Sequence, residues 1–399
     1  MKFGLFHNPM VIKGAGKEDW EPEQERQKFN ELLEQIELAD RLGFDYVFLG
    51  EHHFTAEYAH NSAPEVILGA LSRSTRTIRL GTGIVHASHN DPVRTAERIS
   101  TLDVLSGGRM EFGFGAGGPA EVAPLLGELA GRRSERSVAS SQISVDILAS
   151  RGAYPGVQNE FFQLPPVNVI PKPLQTPHPP LWTSTTNANQ VPGIAKRGLG
   201  CLMLSAAGID DVEHAVDGYW DALLSPETTP MGQGVNPGLF VFGCGIIAPS
   251  AAEAQKRARR GMELFSYGLT GGHAAIIADP KANLTDLFEA HQRGEGDVRE
   301  TLGMPEGFRL FGDAWPDLPG NVMCSPSEAL ETVSALADVH ADGFLLNQQF
   351  GDTSHEHLME SIELFANEVI APMRERDREQ KEWRAKKLAN LNHPIVSSL

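Results

Sequence analysis

Short runs of β-branched and aromatic residues alternate along this chain with longer segments whose apolar positions recur every three or four residues. That alternation is the mark of parallel strands joined by crossover helices. The runs predict strands at about 2–7, 45–50, 78–85, 110–115, 180–184, 200–205, 239–247 and 343–347. Eight such strands predict an α/β fold, a closed TIM (β/α)8 barrel. The helical segments mark their own ends. Phe29, Leu32, Leu33, Ile36 and Ala39 share one face between Glu23 and Leu42, and Gly43 supplies the stop. Asp91-Pro92 opens another helix and Gly107-Gly108 closes it.

Two connections exceed the ordinary crossover length. One, before the strand near 180, carries Pro155, Pro165, Pro166, Pro171, Pro173, Pro177, Pro179 and Pro180 and reads as a stiff extended excursion. The other, about 262–325, follows strand seven and contains Gly271-Gly272-His273, Arg293 and Trp315-Pro316. An insertion of that length is expected to be a lid over the barrel mouth, mobile without ligand. The barrel is expected to occupy 1–374, and 375–399 to form a charged C-terminal helical tail that is solvated or faces another subunit.

Composition narrows the function classes. The chain of 399 residues has 34 Lys+Arg against 52 Asp+Glu, a formal charge of -18, which repels nucleic acid. Three widely spaced cysteines, Cys201, Cys244 and Cys324, suggest neither a disulfide framework nor a zinc cluster. The N-terminal apolar run is too short for a signal peptide and no membrane-length apolar stretch occurs, so a soluble, cytoplasmic protein is expected.

The candidate chemistry gathers at strand ends. Phe48-Leu49-Gly50-Glu51-His52-His53-Phe54 delivers a carboxylate and two imidazoles to the carboxyl end of strand two, where α/β barrels keep their chemistry. Neighbouring strand residues point to opposite faces, so only one histidine of the pair is expected to face the mouth. Gly113-Phe114-Gly115-Ala116-Gly117-Gly118 imitates a dinucleotide loop, but it follows the fourth strand and no acid-tipped strand succeeds it. It reads instead as close approach of backbone to a ligand. Trp182-Thr183-Ser184-Thr185-Thr186-Asn187 offers four consecutive hydroxyls where strand five meets its helix, more than capping needs and suited to a phosphate. Arg109 and Asp103 are expected to pair structurally at the base of strand four. His86 and His89 read as polar surface without a carboxylate, so no metal site is expected.

Four stretches resemble the bacterial luciferase-like superfamily of flavin-dependent monooxygenases: Glu51–Thr55, Leu80–Val85, Asp91–Glu97, and Leu102–Arg109 leading into Phe112–Gly117. The likeness covers about 1–118 and returns weakly at 325–374. It implies a TIM barrel with an insertion after strand seven, and a two-component monooxygenase that uses reduced FMN, supplied by a separate flavin reductase, and dioxygen to oxygenate a small organic substrate. It also implies that His52 is the catalytic histidine beside the flavin, with Glu51 and His53 in support. Thr82, Gly83 and Ile84 would line the flavin, Gly83–Ile84 through a non-prolyl cis peptide. Luciferases proper carry a cysteine and an arginine where Gly115 and Ala116 stand, so the FMN phosphate is expected at Thr183, Ser184, Thr185 and Thr186. A homodimer or heterodimer is implied. The alternatives are a deazaflavin-dependent hydride-transfer enzyme on the same fold and a non-catalytic flavin-binding protein or companion subunit. A TIM-barrel metal hydrolase fits poorly, since strand one carries only His7.

Overall fold

The apolar runs pair edge to edge because each is buried on both faces, which only a sheet closed on itself and wrapped in helices can provide. A computed structural model describes residues 1–204, 208–296, 320–376, 378–397 and 399. Its strands are β1 (Lys2–His7), β2 (Tyr46–Leu49), β3 (Arg79–Thr82), β4 (Met110–Gly115), β5 (Leu181–Thr185), β6 (Gly200–Leu204), β7 (Leu239–Cys244) and β8 (Gly343–Asn347). Each pairs in parallel with the next, and β8 returns to β1, so the chain forms a closed eight-stranded TIM barrel.

Two strands end earlier than the sequence predicts. The run at 78–85 breaks after Thr82 and resumes as Val85–His86, opposite Phe114 and Gly115. The run at 239–247 stops at Cys244, where Gly245 adopts φ 138°.

Alternation along the strands sorts two cores. Phe6, Tyr46, Phe48, Trp182, Leu202, Phe240, Phe242 and Leu345 fill the barrel. Phe3, Leu5, Val47, Leu49 and Leu80 face outward against helix residues such as Leu32, Ile36, Leu68 and Ile99. Asp103 and Arg109 are structural but do not pair with each other. Asp103 accepts from the Gln175 backbone and side chain, whereas Arg109 donates to the Ile78, Ser72 and Thr75 carbonyls.

The helix Ala251–Tyr267 after β7 runs into the insertion, where His273–Ala278 and Leu284–Gln292 follow. Tyr58, just past β2, stacks on Phe265 and His273 at ring separations of 5.3 and 5.5 Å. Buried Glu57 accepts from Leu284 N–H at 2.7 Å and from the Thr285 hydroxyl at 3.1 Å. These contacts tie the first half of the insertion to the mouth. Residues 297–319, including Trp315-Pro316 of the expected lid, lie outside the described residues. Among the described residues no helix is long and apolar enough to cross a membrane.

At the opposite end, the charged helix Arg378–Leu388 lies against the barrel base. Trp383 stacks on His340 at 4.2 Å and meets Trp220 edge-on. Arg384 donates to the Pro237 carbonyl at 2.6 Å and to buried Asp342, whose other oxygen accepts from Leu239 N–H at 3.0 Å. Burial pushes the Asp342 carboxyl above its ordinary range and Arg384 restrains it. Removing one partner of a buried pair strands the other charge, so Arg384→Ala should lower the unfolding free energy by about 3–5 kcal/mol in denaturant titrations. The deficit should grow as pH rises, since the stranded carboxyl holds its proton more tightly folded than unfolded. Adding Asp342→Asn should recover part of it. A loss in the single variant no larger than a surface pair's, about 1 kcal/mol or less, would show that the tail does not secure the base.

Candidate functional site

The chain leaves β2 at Leu49, so the Glu51-His52-His53 sequence lies in the loop beyond the strand. The face-alternation argument therefore fails for the two histidines. Both rings face His86, with centroid separations of 6.2 Å for His52 and 5.7 Å for His53. Gly50 permits the turn, because a Cβ there would lie 2.1 Å from Asn8 Oδ1.

Two buried carboxylates divide the imidazoles between them. Glu51 Oε2 accepts from the His86 backbone N–H at 3.1 Å. Its Oε1 accepts from Asn90 Nδ2 at 2.9 Å and faces His53 Nε2 at 2.8 Å and His89 Nε2 at 3.4 Å. Glu121, in the first turn of the helix Pro119–Leu126, takes His52 Nδ1 at 3.1 and 3.2 Å and the His53 backbone N–H at 3.0 Å. Asn8 Nδ2 lies 3.2 Å from His52 Nε2. With Nδ1–H bound to a carboxylate, Nε2 is left to accept from Asn8, and the imidazole is held in one tautomer.

Burial alone would raise both carboxyls, but the imidazoles dominate. Hydrogen bonds from His53 and His89 hold Glu51 well below the usual carboxylate range, and the charge and hydrogen bond of His52 bring Glu121 down to about 2. Burial lowers His86 to about 4, beyond what nearby Glu51 restores. His53 is also disfavoured by burial, yet its bond to Glu51 lifts it above the ordinary value. Fixed anions beside imidazoles suit proton handling.

The other residues singled out from sequence divide in two. The Thr82 hydroxyl donates to the Gly113 carbonyl at 2.8 Å and accepts its N–H at 2.9 Å, so it joins β3 to β4. Thr183 donates to the Phe114 carbonyl, and Thr185 donates to Gln190 and accepts from Asn187 N–H. Ser184 and Thr186 are exposed with no recorded hydrogen bond. Ser184 shares a strand face with Trp182, which lies inside the barrel, so it faces the mouth; Thr186 lies just beyond the strand. The hydroxyl run does not open a helix directly, since the turn Ala188–Gln190 precedes the short helix Val191–Lys196.

The Gly83–Ile84 bond is trans, contrary to expectation; the cis bonds precede Pro171 and Pro177. Gly83 N–H is held by the Leu49 carbonyl at 2.7 Å and the chain resumes pairing at Val85, which keeps it on the strand line. Gly115 gives room to Ile84, whose Cδ1 would lie 2.1 Å from an added Cβ, and the Ala116 carbonyl accepts from Ser88. The close approach here is thus to the chain's own atoms. His86 and His89 do have a carboxylate, Glu51, and His86 is buried, which corrects the polar-surface reading.

The sequence reading did not find Glu121 or Asn8. Around these groups, Asn8 Oδ1, both amide atoms of Asn61 and Asn347 Oδ1 are buried without a partner. Buried polar atoms are normally satisfied, so these atoms leave hydrogen-bonding capacity open at the mouth.

The chain is similar to known proteins in sequence and in fold. A flavin-dependent trigonelline monooxygenase, oxygenase component, from Acinetobacter baylyi is 28% identical over 193 residues, 47% of this chain and 50% of that one. The chain spans about half the length of the curated relatives it matches. The oxygenating constituent of 3,6-diketocamphane monooxygenase from Pseudomonas putida, in complex with FMN, superposes with a TM-score of 0.67 at 18% identity, over 92% of this chain and 97% of that one. An F420-dependent secondary alcohol dehydrogenase superposes at 0.63 with 16% identity, over 93% and 98%. At these identities the two structures share the fold. The family model for luciferase-like monooxygenases matches residues 1–311, and the chain belongs to that family.

Proposed function

We propose that the protein is the oxygenase of a two-component system that uses reduced FMN and dioxygen to oxygenate a small organic substrate. The observation that carries this reading is the His52 imidazole, held between Glu121 and Asn8 at the carboxyl ends of β1 and β2. The curated relative named a flavin-dependent oxygenase component and the FMN-bound structural neighbour support it.

The residues present fit a flavin. The unpartnered Oδ1 atoms of Asn8 and Asn347 and the unpartnered amide of Asn61 match the hydrogen-bonding edge of such a ring. Glu51, Gly83, Ile84, Gly115 and Ala116 border the same mouth. The free hydroxyls of Ser184 and Thr186 are the candidates for the phosphate, with Thr183 and Thr185 holding the strand end in place. When bound, reduced FMN would supply the electrons that activate dioxygen.

This chain's own groups do the rest. Glu121 keeps the Nδ1 proton of His52 in place, so that Nε2 can take a proton from the reacting group and return it. Tyr58, Phe265 and Phe350 form a buried aromatic wall beside the site that excludes water and favours apolar substrates. A flavin reductase is the expected transient partner. The F420-dependent neighbour of similar TM-score supports a second reading, hydride transfer from a deazaflavin. Titration with both cofactors separates the two.

With reduced FMN, oxygen and a panel of ketones, aldehydes, sulfonates and terpenes, His52→Ala should lower product formation about 10²–10⁴-fold, the range for losing one general acid or base. FMN affinity should change far less. Oxygenation that survives the substitution would remove His52 from the reaction, and a wild-type protein that binds no flavin would overturn the whole reading.

The phosphate assignment has its own test. Ser184→Ala with Thr186→Ala should weaken FMN binding by about 1–3 kcal/mol in fluorescence titration, the loss of charge-assisted hydrogen bonds, while riboflavin binding stays constant. Equal weakening for both flavins would place the phosphate elsewhere.

A further inference from the structure

Glu51, His53, His86 and His89 do more than buttress the mouth. One ligand atom from each lies within 4.8 Å of all the others, although the residues come from two separate segments, the loop after β2 and the stretch from the short strand Val85–His86 into its turn. We propose that these four side chains bind a single late first-row divalent transition ion, with Zn2+ as the type case.

Three imidazoles and one carboxylate make a donor set that suits Zn2+, Co2+, Ni2+ and Cu2+ and suits Mg2+ or Ca2+ poorly. Tetrahedral Zn2+ with bonds of about 2.0–2.2 Å spaces its ligand atoms by roughly 3.3–3.6 Å. Glu51 Oε1 already stands 2.8 Å from His53 Nε2 and 3.4 Å from His89 Nε2. The widest pair needs only about an ångström of side-chain rotation to meet the same bond lengths.

The surroundings are those of a built site. The second oxygen of Glu51 is fixed by the His86 backbone N–H, and Asn90, which donates to Oε1, is itself held through its carbonyl oxygen by Arg98 at 2.8 Å. His86 is 4% exposed, and Nδ1 of both His86 and His89 is buried without a hydrogen bond. At His89 the nitrogen facing Glu51 is Nε2, and at His86 the buried Nδ1 makes no hydrogen bond, so the cluster holds imidazole donor capacity that no protein group takes up beside an anchored anion. Bound there, the ion would tie the loop after β2 to the turn after Val85–His86. His52 and Glu121 lie next to this cluster and are not part of it. The inference does not depend on the flavin reading.

The test uses full-length, tag-free protein, stripped with chelator and free of flavin. Zn2+ affinity is measured by competition with a chromophoric chelator, and Co2+ is added as a spectroscopic probe. One equivalent of Zn2+ should bind at micromolar Kd or tighter, and Co2+ should give the visible bands of a low-symmetry site with nitrogen ligands. His53→Ala with His89→Ala should weaken Zn2+ at least 100-fold, whereas Glu121→Gln should shift it less than about threefold, since Glu121 is outside the ligand set. Wild-type Zn2+ binding weaker than about 1 mM, Co2+ that stays spectroscopically aqueous, or undiminished Zn2+ binding in the folded double variant would each overturn the proposal. If the double variant fails to fold, the Co2+ spectrum and Zn2+ stoichiometry of the wild type decide alone.

Discussion

Everything at the mouth depends on how the barrel interior is filled. Eight strands enclose too little space for a large side chain at every inward position, so aromatic rings sit where the adjoining strand has no Cβ. A Cβ on Gly81 would lie 2.3 Å from Phe48, on Gly200 2.4 Å from Trp182, and on Gly343 2.6 Å from Phe240. Interlocked in this way, the rings resist sliding of one strand past another, and the register fixes which residues emerge at the carboxyl ends. Asn8, Gly50 and Gly83 continue the inward rows of Phe6 and Phe48. The site is the barrel core extended by one polar layer.

That layer carries a second constraint. Four histidines crowd one side of the mouth, and crowded imidazoles would repel if charged together. Two buried carboxylates resolve this by separating the rings into two groups. Glu121 takes His52, and Glu51 takes His53 and His89 while pinning the His86 backbone. Because the rings are split, one imidazole can face the reactants while the others hold the loops. The helix at Pro119 is thus tied to His52 as well as to the barrel wall.

The sequence made the barrel legible because its strands are near-continuous apolar runs and its helices carry proline starts and glycine stops. All eight strands lie where the hydrophobic pattern puts them, within a few residues. What periodicity could not reveal was where a strand stops being a strand. The two-fold rule that assigned His52 and His53 to opposite faces holds for Tyr46–Leu49 and lapses three residues before His52. The expectation of a cis bond at Gly83–Ile84 came from the family likeness and not from local chemistry, and the Leu49 carbonyl holds the chain in its ordinary form. Glu121 was invisible for another reason. It lies 69 residues from His52 in sequence, and nothing local marks an acid in a first helical turn as the partner of a distant imidazole.

The hydroxyl run shows how composition and geometry combine. Read as letters, Thr183–Thr186 is four equivalent donors. Folded, it is two that stitch β5 to its surroundings and two that stay exposed, Ser184 on the strand face that holds Trp182 and Thr186 just past the strand end. A strand end with exposed hydroxyls and bonded ones between can present donors without loosening, since the exposed groups are not the groups that hold the strand. The same division of labour separates Oε1 of Glu51, which faces the imidazoles, from Oε2, which anchors to the His86 backbone. Function at this mouth rests on polar groups whose second partner is already fixed by the fold.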